Sequence, residues 1–551
     1  MPGLVATPLA VLSAGALALL LLNRIAGPRN RSPVTLLAIG VASLALLSLA
    51  RYLPANATIS RWHPFFGSDL AYHVDGLAFF FAALMALVAL AASAPGLGRP
   101  EYPEGTSYAS LLALLAAGLS FVFSANLITL CLSWVVFDLV FLWAFIRLRI
   151  THYVLRILNL SCLACLSLLA AALLVGDSSL SFRSGSFSAP ALGLILLAAL
   201  IRIGLYPLHL WIPIGVKASP AARSLLHLIP ATAGLYLLAR VSAWADGELL
   251  WQLPPQAWGG LRWDAGPALG IAGGLAFFVG ALLAWMEADL GRTLSLVMIG
   301  QVGCIITSSA IVEPRAMVVL SSLNLILCLS LLFLSQDRAE PGGLWARAAS
   351  ALGVASLAGV PLTSGFVARW HIYHSLLTGS HWALLALTLS AEALLFAALL
   401  RMWSVVCANT SPSASVHERL PIVGAALLAL PVVILGLHPA VLSPFMERAS
   451  FPTLLDLLRS TTIGQWAALF LPLVGGYLLH RHRQRIFDPH ESLWLRLMTF
   501  LRLEWLYGII GQTIDVVASA LRIVGNLIAG RGYLGWVAVV GLLAYLFLRS
   551  G

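Results

Sequence analysis

The sequence is poor in charge and almost without lysine. Charged residues make up 10% of its 551 positions, against roughly 25% in a typical soluble domain. Apolar residues make up 60%, and mean hydropathy is +0.94. A water-soluble globular protein is excluded by these values. A disordered chain is excluded as well, because it needs low hydrophobicity and high charge. Lys217 is the one lysine, so the other 31 basic residues are arginines. The net charge of +10 has no Lys/Arg run with interleaved aromatics behind it, so nothing supports nucleic-acid binding. In a membrane chain such residues mark cytoplasmic loops that face anionic lipid.

Cofactor chemistry is missing too. The cysteines at 131, 162, 165, 304, 328 and 407 all lie in apolar stretches. Cys162 and Cys165 form a CxxC, but a metal or redox site wants a second pair and a loop. Helix packing accounts for them. No iron–sulfur motif, dinucleotide motif, metal-ligand cluster or nucleophile–base pair occurs, so no cofactor and no metal is expected. The first 23 residues lack a basic n-region and read as a retained helix, not a cleaved signal.

What is present is length in apolar runs. A membrane-spanning helix takes about 20 apolar residues, and sixteen candidate runs lie between residues 4 and 549. The expected fold class is therefore an all-α polytopic membrane protein. Arginines gather after odd-numbered runs: Arg24, Arg29 and Arg31; Arg147 and Arg149; Lys217 and Arg223; Arg481, Arg483 and Arg485. The even loop 244–266 carries Asp246, Glu248, Arg262 and Asp264 instead. Odd loops then face the cytoplasm and both termini face outward.

Two runs are interrupted. Run seven holds Pro207 in LIRIGLYPLHLWIP, and run twelve holds Pro361 between Gly359 and Gly365. Proline removes a helical hydrogen bond, and in lipid the freed groups need protein or water. Interrupted spans in corresponding positions point to an ion pathway between internal repeats; an incidental kink is the alternative for either one alone. Five runs separate them, which suggests two five-helix repeats. The expected segments are 1–106 with three helices, 107–243 and 244–410 with the repeats, 411–482 with two spans, 483–530 as an amphipathic lateral helix, and 531–551 as a last span. The segment 483–530 carries Leu503, Leu506, Ile510, Ile514, Val517, Leu521, Val524 and Ile528 at helical spacing. One more tilted span is its alternative.

Ionisable side chains at bilayer depth cost at least about 2.5–3.5 kcal/mol on insertion scales and are functional candidates by default. They are Asp138, Arg202, His227, Arg369 and Glu392. Glu287, Asp289 and Arg292 join them at a junction between two helices, at or near the membrane interface. Arg202 stands five residues before Pro207 and needs a carboxylate, for which Asp138 is the natural partner. Glu392 has Arg369 of the adjacent span as candidate partner. His227 also reads as a satisfied core histidine, and Arg369 as a residue that snorkels.

At these residues the chain resembles the antiporter-like membrane subunits of respiratory complex I, group 4 membrane-bound hydrogenases and Mrp-type cation/proton antiporters. Four stretches carry the likeness: YPLHLWIPIGVKASPAARSLLHLIPATAGLYLLAR, EADLGRTLSLVMIGQVG, GVPLTSGFVARW and HVDGLAFFF. The lateral helix before a last span suits the distal subunit type. The resemblance implies two inverted five-helix repeats, each with one broken helix. It implies movement of protons, or of Na⁺ in some members, along a mid-membrane axis of Glu and Lys groups. It implies other membrane subunits and a peripheral redox arm as partners, in the inner membrane of a prokaryote.

The sequence departs from that pattern at the axis. Val135 stands where the Glu of the fifth helix would be, with Asp138 one turn later. Arg202 and Arg369 replace the basic or acidic groups of the broken helices, and Asn324 is the best polar group of run eleven. A lysine can give up its proton; an arginine keeps it. A lysine-to-lysine proton wire is therefore absent, leaving Asp138, His227, Glu392 and water to carry protons. Three functions follow: a proton-translocating subunit driven by a redox partner, a non-conducting scaffold copy, or an energy-coupling subunit of an inorganic-carbon uptake system.

Overall fold

Backbone groups in lipid have no water to bond, so apolar runs of this length must close their hydrogen bonds within helices. They do so in a computed structural model of the chain. It describes residues 2–25, 31–60, 69–96, 105–150, 153–175, 187–216, 218–244, 256–258, 261–263, 265–311, 314–336, 344–408, 419–445, 452–528 and 533–550. Lys217, Asp246, Glu248 and Asp264 lie outside the described residues.

Eleven helices follow one another: α1 (Pro2–Ile25), α2 (Arg31–Leu49), α3 (Gly76–Ser93), α4 (Gly105–Val122), α5 (Leu127–Arg147), α6 (Val154–Val175), α7 (Ala189–Ile203), α8 (Pro220–Trp244), α9 (Ala265–Met286), α10 (Leu290–Ile311) and α11 (Pro314–Ser335). Then come α12 (Leu344–Leu357), α13 (Ser364–Thr378), α14 (Trp382–Ala408), α15 (Arg419–Leu437), α16 (Leu454–Ser460) and α17 (Ile463–Arg481). Among the described residues, 12 helices are long and apolar enough to cross a membrane. The chain is an all-α polytopic membrane protein. Among the described residues its strands form two short antiparallel hairpins, β1 (Ala55–Ser60) with β2 (Leu70–Val74) and β3 (Gln256–Trp258) with β4 (Leu261–Trp263).

The chain divides into two units, Met1–Ile486 and Phe487–Gly551. In the first, α8 and α11 are wholly buried and pack on each other. Helix α8 also packs on α3, α4 and α7, and α11 on α10, α12 and α15. Their sequences are apolar on every side, as a helix at the centre of a bundle requires.

Both interrupted runs break the same way. Helix α7 ends at Gly204, with φ +79°, and α12 ends before Gly359, with φ +71°. Gly204 N–H donates to the Ile201 carbonyl and Leu205 N–H to that of Leu200. Gly359 N–H donates to the Ser356 carbonyl and Val360 N–H to that of Ala355. These are two Schellman caps, each followed within three residues by proline, which cannot rejoin the helix. After the first break a 3₁₀ turn, Leu208–Trp211, carries the chain onward; after the second, α13 resumes.

In the second unit the segment expected as one lateral helix is divided. Following α18 (Arg483–Phe487) and a 3₁₀ turn at Asp488–His490 come α19 (Glu491–Leu501) and α20 (Glu504–Ile528), separated at Leu503, whose φ is +58°. Residues Glu504–Asn526 also meet the length and hydropathy of a span, so composition alone does not separate the two expectations. The last helix, α21, spans Tyr533–Ser550.

Candidate functional site

The first break carries one ion pair. Arg202 lies in the last turn of α7, two residues before the glycine cap, and is 5% exposed. Its Nη1 donates to Asp138 Oδ1 of α5 at 2.6 Å. The guanidinium carbon lies 4.0 Å from the Trp134 ring centroid and 4.7 Å from that of Phe137. One helix thus supplies both the counter-charge and the aromatic faces, since residues 134, 137 and 138 share a face of α5. Arg202 Nε and Nη2 and the Trp134 indole N–H meet no hydrogen-bond partner among the described residues. A small cleft with a volume of about 10 Å³ borders them, lined by Trp134, Phe141, Ser161, Arg202 and Trp211 among others. The Ile201 carbonyl, which accepts from Gly204 N–H in the cap, also accepts from Trp211 Nε1 at 2.7 Å.

The second break is closed by its own arginine. Arg369 rises from α13 and is 5% exposed. Its Nη2 stands 2.8 Å from Glu392 Oε2 of α14, 3.1 Å from Gln301 Oε1 of α10 and 3.2 Å from the Leu357 carbonyl at the end of α12. Its Nη1 meets Cys304 Sγ at 2.8 Å. Three segments therefore converge on one guanidinium, whose fixed fork can serve several acceptors at once. A Cβ on Gly359 would lie 2.7 Å from Arg369 Cγ, so this glycine supplies space as well as its positive φ.

Asn324 of α11 ties the second break from below. Its Oδ1 accepts from Ser356 Oγ at 2.6 Å, Ser364 Oγ at 2.9 Å and Cys328 Sγ at 3.4 Å. A Cβ on Gly365 would overlap the Ser356 carbonyl, so the two arms meet there backbone to backbone.

His227 stands between the halves. Its Nδ1 donates to the Arg223 carbonyl at 2.7 Å, and its Nε2 faces Ser295 Oγ at 3.0 Å and the Pro213 carbonyl at 3.1 Å. Both ring nitrogens are bonded, as in a satisfied core histidine, yet the partners come from the loop after the first break and from α10. Glu287, Asp289 and Arg292 lie at the α9–α10 junction. Glu287 Oε1 accepts from the Ala288 and Asp289 amides, and Asp289 Oδ1 from those of Gly291 and Arg292, so both carboxylates bind the junction backbone. Pro207 and Pro361 each stand in a break, just after its glycine cap.

A third ion pair, whose members are not among the candidate intramembrane charges, joins Asp75 to Arg240. Asp75 caps α3 by accepting from the Ala78 amide at 2.8 Å, and accepts from Arg240 Nη1 at 2.5 Å and Nη2 at 2.8 Å. Burial pushes the Asp75 carboxyl up, but the Arg240 charge and its hydrogen bonds outweigh burial and hold it well below the usual carboxylate range. The sequence signal is an aspartate just before an apolar run, a helix N-cap. Its partner, 165 residues away, leaves no such signal.

These features define a membrane bundle with ionised groups held at two helix breaks. Residues 182–395 match the family model described as NADH:quinone oxidoreductase/Mrp antiporter, TM. The NADH-quinone oxidoreductase subunit N of Cereibacter sphaeroides is 27% identical over 302 residues, covering 50% of this chain and 64% of that protein. The subunit N of Rhodopseudomonas palustris is 28% identical over 422 residues, covering 72% of this chain and 87% of the relative. A chain of the membrane-bound sulfane sulfur reductase, an archaeal respiratory membrane complex, superposes with a TM-score of 0.73 at 18% identity, covering 100% of both chains. Over these segments the chain is similar to antiporter-like membrane subunits.

Proposed function

We propose that this chain is a proton-translocating subunit of a multi-subunit membrane assembly, coupling a partner's redox reaction to proton movement along a mid-membrane polar axis. The observation that carries the reading is that each broken helix holds a buried arginine paired with a carboxylate from another helix, Arg202 with Asp138 and Arg369 with Glu392. Such groups are costly in a bilayer and stay where function needs them. The element order helix, helix, helix, broken helix, helix occurs twice, in α4–α8 and α9–α14, and supports two five-helix repeats. In this reading Asp138, His227 and Glu392 hold and pass the proton. Arg202 and Arg369 keep their charge and bias the carboxylates electrostatically. Glu287, Asp289 and Arg292 hold the junction that orients α10 toward the axis. The subunit N relatives and the sulfane sulfur reductase support other membrane subunits and a peripheral redox arm as partners, in the inner membrane of a prokaryote. The arginine distribution supports both termini facing outward.

The test is purification of the assembly from its native membrane, identification of co-purifying chains by mass spectrometry, and reconstitution into vesicles. Redox subunits are expected, with proton pumping that Asp138→Asn and Glu392→Gln each abolish. A non-conducting scaffold copy is the second reading, favoured by Asn324 and Arg369, which bind the second break shut. Normal pumping after neutralising Asp138, His227 and Glu392 together would establish it.

A further inference from the structure

Helix α14 packs on α9 through Leu384 and Leu387, which face Gly274, and on α17 through Ala393 and Phe396, which face Gly475 and Gly476. Leu384 and Ala393 stand about two and a half turns apart, as do Leu387 and Phe396, so the two neighbours lie on opposite sides of α14. Ala383, Ala386, Ser390, Leu394 and Arg401 follow at helical spacing on the face left between them. Ala383, Ala386 and Ser390 are exposed, and Arg401 is half-buried. Exposed apolar side chains wall this strip: Ile271 one turn before Gly274, and Leu471 and Leu478 one turn to either side of Gly475. The end of the groove at Arg401 is positive. Arg401 Nη2 donates to the Ala284 carbonyl at 3.4 Å and to Thr293 Oγ1 at 3.1 Å. Arg483 Nε and Nη2 donate to the Trp285 and Met286 carbonyls at 3.4 and 3.3 Å. Two guanidiniums thus meet three consecutive carbonyls at the end of α9, where the helix dipole supplies about half a negative charge. Arg401 feels the charges of Arg483 and Glu287, and Glu287 Oε1 already accepts from two junction amides. Two arginines against one carboxylate and a helix end leave the mouth of the groove positive. Arg401 Nε is buried and meets no hydrogen-bond partner among the described residues. Arg481 and Arg485, both exposed, flank Arg483 in the chain.

We propose that this groove holds one anionic phospholipid, with its phosphate against Arg401 and Arg483 and an acyl chain along the α14 strip. Charge selects the headgroup: a phosphate brings the negative charge that the mouth lacks, and guanidiniums pair with phosphate oxygens through charge-assisted hydrogen bonds. Length selects a lipid over a free anion. From Ser390 to Arg401 the helix rises about 16 Å, which matches one leaflet, half of a hydrocarbon core roughly 30 Å thick. The exposed wall is apolar along that length, and the positive charge is confined to its end, as in the lipid itself. A zwitterionic lipid matches the strip equally well but brings a cation to a mouth that is already positive.

The experiment strips lipid from the native assembly with the full chain in detergent. It then adds phosphatidylglycerol or phosphatidylcholine, each with the same photoactivatable acyl chain, and maps the labelled peptides by mass spectrometry. Phosphatidylglycerol should label residues 383–401 and 471–478. One cationic side chain beside an anionic headgroup contributes about fivefold in affinity. Half-saturation should therefore come at a concentration about tenfold or more below that of phosphatidylcholine. Arg401→Gln should raise it about fivefold, and Arg401→Gln/Arg483→Gln about 25-fold. Arg401→Lys keeps the charge but loses the fork that caps α9, and should stay within about twofold of the parent. Arg147→Gln, at the exposed end of α5, should leave it at the parental value. Equal half-saturation by the two lipids, or a parental value in the double variant, overturns the proposal and leaves an ordinary lipid-facing surface. An equal loss in Arg401→Lys and Arg401→Gln also overturns it, because the loss then follows from the uncapped end of α9. Inorganic phosphate that displaces the lipid at equal concentration assigns the arginines to a free anion instead. Labelling that appears only when a neighbouring subunit is removed assigns the groove to protein and overturns the lipid.

Discussion

Two arginines stand at two breaks of the same design, yet they are held differently. Arg202 makes one hydrogen bond, to Asp138, rests on two aromatic faces and borders a cleft. Arg369 is ion-paired with Glu392 and hydrogen-bonds Gln301, the Leu357 carbonyl and Cys304, while its Nε and both Glu392 carboxylate oxygens meet no hydrogen-bond partner among the described residues. The cause is position relative to the break. Arg202 precedes its break and reaches sideways to α5, while the Ile201 carbonyl accepts from Gly204 N–H and Trp211 Nε1. Arg369 follows its break and reaches back across it, so it bonds the Leu357 carbonyl itself. The first pair bonds no backbone group; the second holds its backbone together. Equal charge on opposite sides of the two breaks thus gives a simple pair and a clamp.

The largest effect should separate them directly. Truncating one partner of a buried ion pair costs about 3–5 kcal/mol, because the other charge is left unpaired. Arg369→Met should reach or exceed that range, since a backbone carbonyl is orphaned as well, and should appear as a large loss of thermal stability in detergent. Arg202→Met should cost clearly less. Equal losses would break the distinction between clamp and simple pair. The double variant Arg369→Met/Glu392→Met should recover most of the ion-pair cost and leave only the capping deficit.

Asn324 sharpens the comparison next, because only the second break has such a tie. Asn324→Leu leaves the Ser356 and Ser364 hydroxyls without their acceptor and should cost about 1–3 kcal/mol per orphaned group, read from the same melting curves. Unchanged stability would show that the Asn324 contacts contribute nothing net.

A smaller effect is expected from lysine at each arginine. Arg202→Lys keeps the single bond to Asp138 and restores a group that can release its proton. Pumping in the reconstituted assembly should be kept or raised a few-fold. Arg369→Lys loses the fork that reaches several acceptors, so it should destabilise the protein without raising flux. A rise at both positions would mean that the clamp is not structural.

The smallest effect concerns the Asp75–Arg240 pair, which lies away from both breaks. Its depressed carboxyl favours the folded state at neutral pH. That contribution begins to fade once pH falls below about 4, where the unfolded carboxyl takes up its proton, and is lost as pH drops through the lower folded value. Asp75→Asn should flatten this acid limb in a stability–pH profile; an unaltered limb would assign acid sensitivity to other carboxyls.

Much of this was legible in the residues. The apolar runs correspond to the helices to within a few residues, because a span in lipid has one way to close its hydrogen bonds. Both breaks were marked by a glycine with a proline two or three residues on, a local signal for a local cap. The pairs Asp138–Arg202 and Glu392–Arg369 were legible because charges are so few that each has few possible partners. The division of the segment 483–530 at Leu503 had no such mark; a leucine with positive φ is not announced by its type.

Composition, spacing and the scarcity of lysine by themselves determined a polytopic helical membrane protein with two broken helices and a buried arginine beside each break. Those properties are local or additive along the chain: hydropathy sums over a run, and a cap is made by neighbours. Tertiary structure alone decided that Arg369 bonds Gln301, that Asn324 ties the two arms of the second break, and that Asp75 meets Arg240. Each depends on helices far apart in sequence meeting at hydrogen-bond distance, a geometry set by how side chains pack between helices and carried by no single stretch of residues.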